Sequence, residues 1–264
     1  MRSPQVGLGS ETLIVTGHPN HELAILGIVQ RARPHLLIVT DGGQPERVAD
    51  SRRVFQSLDL SDRVRFLDFP EVDLYRALLE RNSRALLGLV ADIRAVVDRV
   101  KPRQILCESV EFYNPLHDLT LPLAAAAARH RPNVAMLEFP LIAEIPESGG
   151  RFRVQRPPAS REDASETFDL SPEELSTKRS AAVHSYPSLR RQLGELIDGI
   201  GSEHAAKEYY LSATSELPAP GTEHALRYEE RGRALQKEGA VDHVITFQDH
   251  FLPAVAALER NSGS

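Results

Sequence analysis

Leu13-Ile14-Val15-Thr16-Gly17-His18-Pro19-Asn20-His21-Glu22 decides the fold. Four apolar or β-branched residues read as a short buried strand. Gly17 and Pro19 end it, because proline has no N–H to continue a ladder, and a helical pattern follows from about residue 22 to 33. The same unit recurs downstream. His35–Thr40 is a second strand closed by Asp41-Gly42-Gly43, and Pro45 opens a helix that runs to about Ser57. Val64–Phe69 is a third strand, and a helix-rich stretch covers about 72–100 with a break near Asn82-Ser83. Gln104–Cys107 and Val134–Glu138 are a fourth and a fifth strand, with an Ala-rich helix after His117 between them. Strand and helix alternating at this spacing predict an α/β fold, a mainly parallel sheet with helices on both faces.

The chain has 264 residues, 41% hydrophobic and 26% charged, which suits a folded globular protein and excludes wholesale disorder. Its net charge of -6 offers no basic excess, so nucleic acid is not an expected partner. No apolar run reaches the ~20 residues of a membrane span, and the start, MRSPQVGLGSE, has no apolar signal region. The expected location is cytoplasmic. A single cysteine, Cys107, excludes both an internal disulfide and a Cys-rich zinc site, and in its apolar strand it reads as inert.

Residues 1–156 read as the α/β core and 157–264 as a mostly helical C-terminal extension packed on it, together one structural domain. Ser171-Pro172-Glu173-Glu174 carries a capping box, and helices are expected at about 172–186, 187–199, 203–212, 223–238 and 250–260. Formation of a homo-oligomer through this extension stays open.

In parallel sheets ligands sit at the carboxyl ends of the strands. Here His18, Asp41 and the segment Glu108–His117 each follow a strand. Two imidazoles three residues apart at a strand-to-helix turn can face one metal ion. An isolated His-x-x-His is more often a pair of helix-start histidines; the strand context reverses that reading. His117, from another strand end, is the natural third ligand. Three nitrogens and a water make a catalytic zinc site, the metal expected here.

These motifs resemble the LmbE-like family of zinc-dependent N-acetylglucosaminyl deacetylases, which includes the GlcNAc-phosphatidylinositol deacetylases (PIG-L). The stretches that carry the resemblance are HPNHE at 18–22, TDG at 40–42, Arg47-Val-Ala-Asp50, and Val110–His117, over roughly residues 10–141. The resemblance implies a Rossmann-like fold, a cofactor zinc, and a small-molecule glycoconjugate substrate bearing an N-acyl amino sugar. It implies that His18 and His117 are metal ligands and that His21 stands where the family has an aspartate ligand. Asn20 stands at the family's general-base aspartate, and Asn114 where a histidine often polarises the substrate. Arg47 corresponds to an arginine that contacts a sugar or phosphate oxygen.

The departures set the alternatives. Three neutral imidazoles leave a divalent metal at +2, which lowers the pKa of its water toward the ~7 of carbonic anhydrase, the usual reference for three-His zinc. Asn20 cannot take a proton but its amide can position water or substrate. Replacement bases are Glu22 and Glu111, with Glu108 and the acid His250 as further candidates. Asp41 is expected to fix a ligand imidazole from behind, and Tyr113 to stack on a sugar or form the pocket wall. A three-His site also suits Fe, Mn, Ni or Cu. The leading reading is therefore a metal-dependent deacetylase. The alternatives are a metalloprotein of a biosynthetic pathway with isomerase, lyase or oxidase chemistry, and a non-catalytic sugar-binding protein.

Overall fold

Strand β1 (Thr12–Thr16) is buried at all five positions, as a strand must be when helices cover both faces of its sheet. In the computed structural model, which describes residues 7–144, 152–188, 206–214, 217–218, 220 and 226–261, β1 lies at the centre of that sheet. It pairs in parallel with β2 (His35–Thr40) on one side and β4 (Gln104–Glu108) on the other. β3 (Val64–Phe69) lies outside β2, and β5 (Ala135–Phe139) outside β4. The sheet is completed by β8 (Glu166–Asp169) and β9 (Lys207–Ser212), giving seven strands in the order β3-β2-β1-β4-β5-β9-β8. A separate hairpin pairs β6 (Ile142–Glu144) with β7 (Phe152–Val154).

The chain lays down β1, β2 and β3 outward, then returns to place β4 against the opposite edge of β1. The strand order thus reverses between β1 and β4, which opens a crevice at their carboxyl ends. Val15 is in register with Cys107 there.

Period-two alternation sorts the strand side chains into two layers. Leu13, Val15, Leu37, Val39, Ile105 and Cys107 pack under α3 (Glu71–Leu79), α4 (Ser83–Val100), α5 (Pro115–Ala128) and the C-terminal α8 (Leu252–Asn261). Ile14, Leu36, Ile38 and Leu106 face α1 (Leu26–Ala32) and Phe55 of α2 (Pro45–Ser57). The break expected near residue 82 separates α3 from α4, and Asn82 caps α4 by accepting from the Ala85 N–H at 3.1 Å.

The extension departs from its mostly helical expectation in two strands, β8 and β9. Residues 207–212 form strand β9, not a helix: Tyr209, Tyr210 and Leu211 suit a pleated surface, and the free edge of β5 supplies an antiparallel partner. Helices do form at α6 (Pro172–Ser180), with the expected capping box, at α7 (Arg227–Lys237) and at α8. The helix expected at 187–199 falls almost wholly outside the described residues. The extension is fastened by a buried pair. The Glu208 carboxylate accepts from the Gly27 and Ile28 N–H groups at 2.8 and 2.7 Å, which satisfies open donors at the start of α1. Lys178 donates to Glu208 at 2.7 Å and to the Ala24 carbonyl at 2.8 Å. No helix among the described residues is long and apolar enough to cross a membrane.

Candidate metal centre

The crevice between β1 and β4 is narrow because Gly17 lets them close. A Cβ there would lie 2.8 Å from Thr120 Oγ1 and 3.1 Å from Glu108 Oε2. The chain then turns through Pro19 and Asn20, whose φ of 77° is a left-handed conformation that asparagine tolerates better than most residues. This turn brings His18 and His21 back over the strand ends. α5 begins at Pro115 with Asn114 as its cap, so His117 sits in the first turn of the helix, earlier than the sequence placed the helix start.

The three expected imidazoles converge. Ring centres are 5.1 Å apart for His18–His21, 5.0 Å for His18–His117 and 4.4 Å for His21–His117. Imidazoles sharing one tetrahedral zinc at ~2 Å have centres ~5 Å apart, so the ring spacing suits a shared ion. Among the described residues, however, no three His, Cys, Asp or Glu side chains have donor atoms already set to hold a metal. The rings are close, and sharing an ion requires them to turn.

Hydrogen bonding fixes which nitrogen is available. Thr40 Oγ1 spends its proton on the Gly17 carbonyl at 2.7 Å and accepts from the Gly42 N–H at 3.2 Å. His18 Nδ1, 2.7 Å from the same oxygen, must therefore donate. Its Nε2 is left with a lone pair. His21 Nδ1 lies 2.7 Å from Glu108 Oε1, which also accepts the Gly17 N–H at 2.9 Å. When Glu108 is ionised, it accepts from Nδ1 and leaves Nε2 as the lone-pair nitrogen.

Burial lowers the pKa of all three imidazoles: His18 and His21 fall well below the usual histidine value, and His117 falls to about 3. Neighbouring imidazoles add to the effect on His18 and His117, and the Arg47 guanidinium lowers all three. Each ring is neutral at neutral pH, the form that ligates metals. Burial also raises the Glu108 carboxyl to about 7. With Glu108 against His21, and Glu71 Oε2 3.6 Å from His18 Nδ1, the surroundings are not those of a bare +2 ion.

Other expected site residues are engaged elsewhere. The Asn20 amide donates to the Arg47 carbonyl at 3.0 Å and to Ser51 Oγ at 3.1 Å, so it is committed to α2 rather than free to position water. Glu22 is fully buried and accepts from the Tyr186 hydroxyl at 3.0 Å; burial raises its pKa. Glu111 accepts from the Leu141 and Ile142 N–H groups at 3.1 and 2.8 Å, which ties its loop to the chain after β5. Arg47 donates to the Pro19 and Gly42 carbonyls at 2.8 and 3.3 Å and so holds the histidine turn instead of reaching out for substrate. Asp41 touches no imidazole; its Oδ1 accepts from the Gly43 and Glu71 N–H groups, both at 2.9 Å. His250 accepts from the Thr246 N–H at 2.9 Å within its own turn and lines a separate cleft. Asn114 accepts from the Leu116 N–H at 2.8 Å and the Tyr75 hydroxyl at 3.3 Å, while the Tyr113 ring centre is 6.3 Å from that of His117.

Two residues join the cluster that the sequence reading did not place there, Thr40 behind His18 and Glu71 beside His18, while Glu108, expected there as a base, lies behind His21. Glu71 follows β3 directly at the start of α3, so the strand-end rule that found the other residues applies to it as well. Gly43, at φ 70°, makes room: a Cβ there would lie 3.0 Å from Glu71 Oε2. The Glu71 side chain is 18% exposed, whereas Glu108 is fully buried. Burial raises the Glu71 pKa and Arg47 opposes the rise.

Comparison with protein-family models finds no match, and none of the curated proteins matches. Solved structures do match. The A40926 pseudoaglycone deacetylase Dbv21 aligns at a TM-score of 0.55 and 15% identity, over 78% of this chain and 99% of that one. A zinc-inhibited form of the teicoplanin deacetylase Orf2 aligns at 0.52 and 16%, over 78% and 100%. The conserved protein TT1542 from Thermus thermophilus aligns at 0.50 and 18%, over 80% and 98%. At these identities the likeness is one of fold.

Proposed function

We propose, from the LmbE-like deacetylase fold that this chain adopts, that the protein is a metal-dependent hydrolase that removes the acyl group from an N-acyl amino sugar of a small glycoconjugate. The observation that carries this reading is the convergence of three largely buried imidazoles at the fold's strand-order reversal. His18, His21 and His117 would hold the ion, and zinc is the metal their donor set suits first. Bound zinc supplies Lewis-acid polarisation of the amide carbonyl and a water of lowered pKa.

The chain's own part falls to a few groups. Glu71 is the carboxylate that takes a proton from the attacking water and returns it to the departing amine. It is chosen by elimination, since Asn20 cannot titrate and Glu22, Glu108 and Glu111 are tied to buried partners. Asp41 aims it by accepting the Glu71 N–H. Arg47 holds the His18–His21 turn by its carbonyls. Tyr113 and Asn114 form the wall against which the sugar lies.

The test is acyl release from N-acetylglucosaminyl glycoconjugates by zinc-loaded protein, with Glu71→Gln alongside. Acetate release by the wild type and a kcat lowered about 10²–10⁴-fold in the variant, with metal content unchanged, are expected. A variant as active as wild type removes Glu71 from the mechanism. A zinc-loaded wild type inert on every N-acyl sugar removes the deacetylase reading.

A further inference from the structure

We propose that Glu108 is the positioning residue that makes His21 a metal ligand, by holding the imidazole proton on Nδ1 so that Nε2 presents its lone pair to the ion. The inference rests on the metal-centre reading above and extends it to a residue outside the ligand set.

Glu108 ends β4 and is fully buried. Its Oε1 receives two donors from the far side of the crevice, the Gly17 N–H at 2.9 Å and His21 Nδ1 at 2.7 Å. Its Oε2 lies 3.3 Å from Thr120 Oγ1, a hydroxyl that also reaches the Leu116 carbonyl one turn back in α5. The carboxyl, at the end of β4, is thus clamped between the turn after β1, which carries His18 and His21, and α5, which carries His117. Its bond to the Gly17 backbone fixes its position relative to the His18–His21 turn, since His18 is the next residue. His18 has a similar arrangement built from different groups, with Thr40 as the acceptor for Nδ1. Acceptors behind two of the three rings, both reached through Nδ1, leave the same nitrogen exposed on each. Such partners fix the tautomer and raise ligand basicity.

Two readouts separate this role from simple packing, both taken at pH 8. Nitrogen NMR of the metal-free protein reports which His21 nitrogen carries the proton, with the resonance assigned by its loss in His21→Gln. Competition with a chelator gives the zinc affinity. Wild type and Glu108→Gln are expected to hold the proton on Nδ1, because the amide oxygen still accepts and Thr120 Oγ1 can accept from the new NH₂. Glu108→Met is expected to move the proton to Nε2 and weaken zinc binding about 10–100-fold, with Glu108→Gln nearer tenfold through lost basicity. Thr120→Val, which perturbs the same packing without touching Oε1, is expected to bind zinc as wild type does.

If Glu108→Met does not fold, Glu108→Gln carries the test by affinity alone. Unchanged zinc affinity in a folded Glu108 variant, or an unmoved His21 proton in Glu108→Met, overturns the assignment while leaving the metal site standing. A wild type that takes up no zinc overturns both. The two failures are therefore distinguishable.

Discussion

Asn20 shows how far a single residue type can be read. Its identity removes a titrating group from the histidine turn, but its geometry removes it from the site altogether. The amide NH₂ is shared between the Arg47 carbonyl and Ser51 Oγ, and Arg47 Nε approaches Oδ1 at 3.3 Å. Asn20→Asp, the change that restores the aspartate of the resembled motif, is therefore expected to lower activity or leave it unchanged, never to raise it. It sets a carboxylate against a buried carbonyl and forfeits a donor, at a cost of about 1–3 kcal/mol offset in part by Arg47. Thermal denaturation and the deacetylase assay together check this, and a gain in kcat contradicts the placement. The convergence of the histidines was legible because each follows a strand end, where the side chains of a parallel sheet meet. Glu22 and Glu111 misled because a carboxylate in a motif can equally be an acceptor for buried N–H and O–H groups, and only packing shows which. Thr40 was invisible as a partner since its role depends on where a single hydroxyl proton goes.

At the scale of elements, the first turn of α5 concentrates the centre's electrostatic tension. Asp118 Oδ1 accepts from the Glu111 and Phe112 N–H groups at 2.8 and 3.1 Å, yet burial pushes its pKa up to about 8. The folded protein then keeps this proton up to about pH 8, whereas the unfolded chain releases it near the ordinary aspartate value of ~4. Its stabilising contribution is complete below pH ~4 and is lost as pH rises through about 8. Asp118→Asn preserves the accepting oxygen and cannot titrate. In metal-free protein, the stability of the variant relative to wild type is expected to improve between about pH 4 and 8 by upwards of about 1 kcal/mol, read by urea denaturation at each pH. The imidazoles act with the opposite sign: their lowered pKa values give stability that is present above ~6.5 and lost as pH falls toward the folded values. That slope is common to both proteins and cancels in the comparison. A flat difference contradicts the buried, protonated Asp118. The five parallel strands were legible as apolar runs ended by turn residues, since burial on both faces leaves no other composition. β9 was not, because Lys207-Glu-Tyr-Tyr-Leu-Ser is short and becomes a strand only by adding to the exposed edge of β5.

Across the whole molecule, the extension belongs to the sheet as well as to its covering layers. Lys178 from α6 and Glu208 from β9, both fully buried, meet at the start of α1, and burial lowers the Lys178 pKa while Glu208 opposes the fall. Removing one partner leaves a charge uncompensated. Lys178→Met is expected to cost about 3–5 kcal/mol, and Lys178→Met with Glu208→Gln distinctly less, because the remaining polar group still accepts from α1 without burying a lone charge. Urea denaturation of both variants checks this, and a double variant as damaged as the single contradicts it. We propose accordingly that residues 1–156 do not form a stable unit without 157–264. The composition and capping signals of the extension were legible; its attachment was not, since a lysine and a glutamate thirty positions apart carry no mark of their pairing.

Three histidines from two strand ends are proposed to hold one metal ion. Metal content of the purified protein, measured beside His21→Ala and His117→Ala, decides this. About one zinc per chain in the wild type, lost in both variants, is the predicted result. A folded wild type that binds no metal even after zinc is supplied, or variants that keep the full complement, contradicts it.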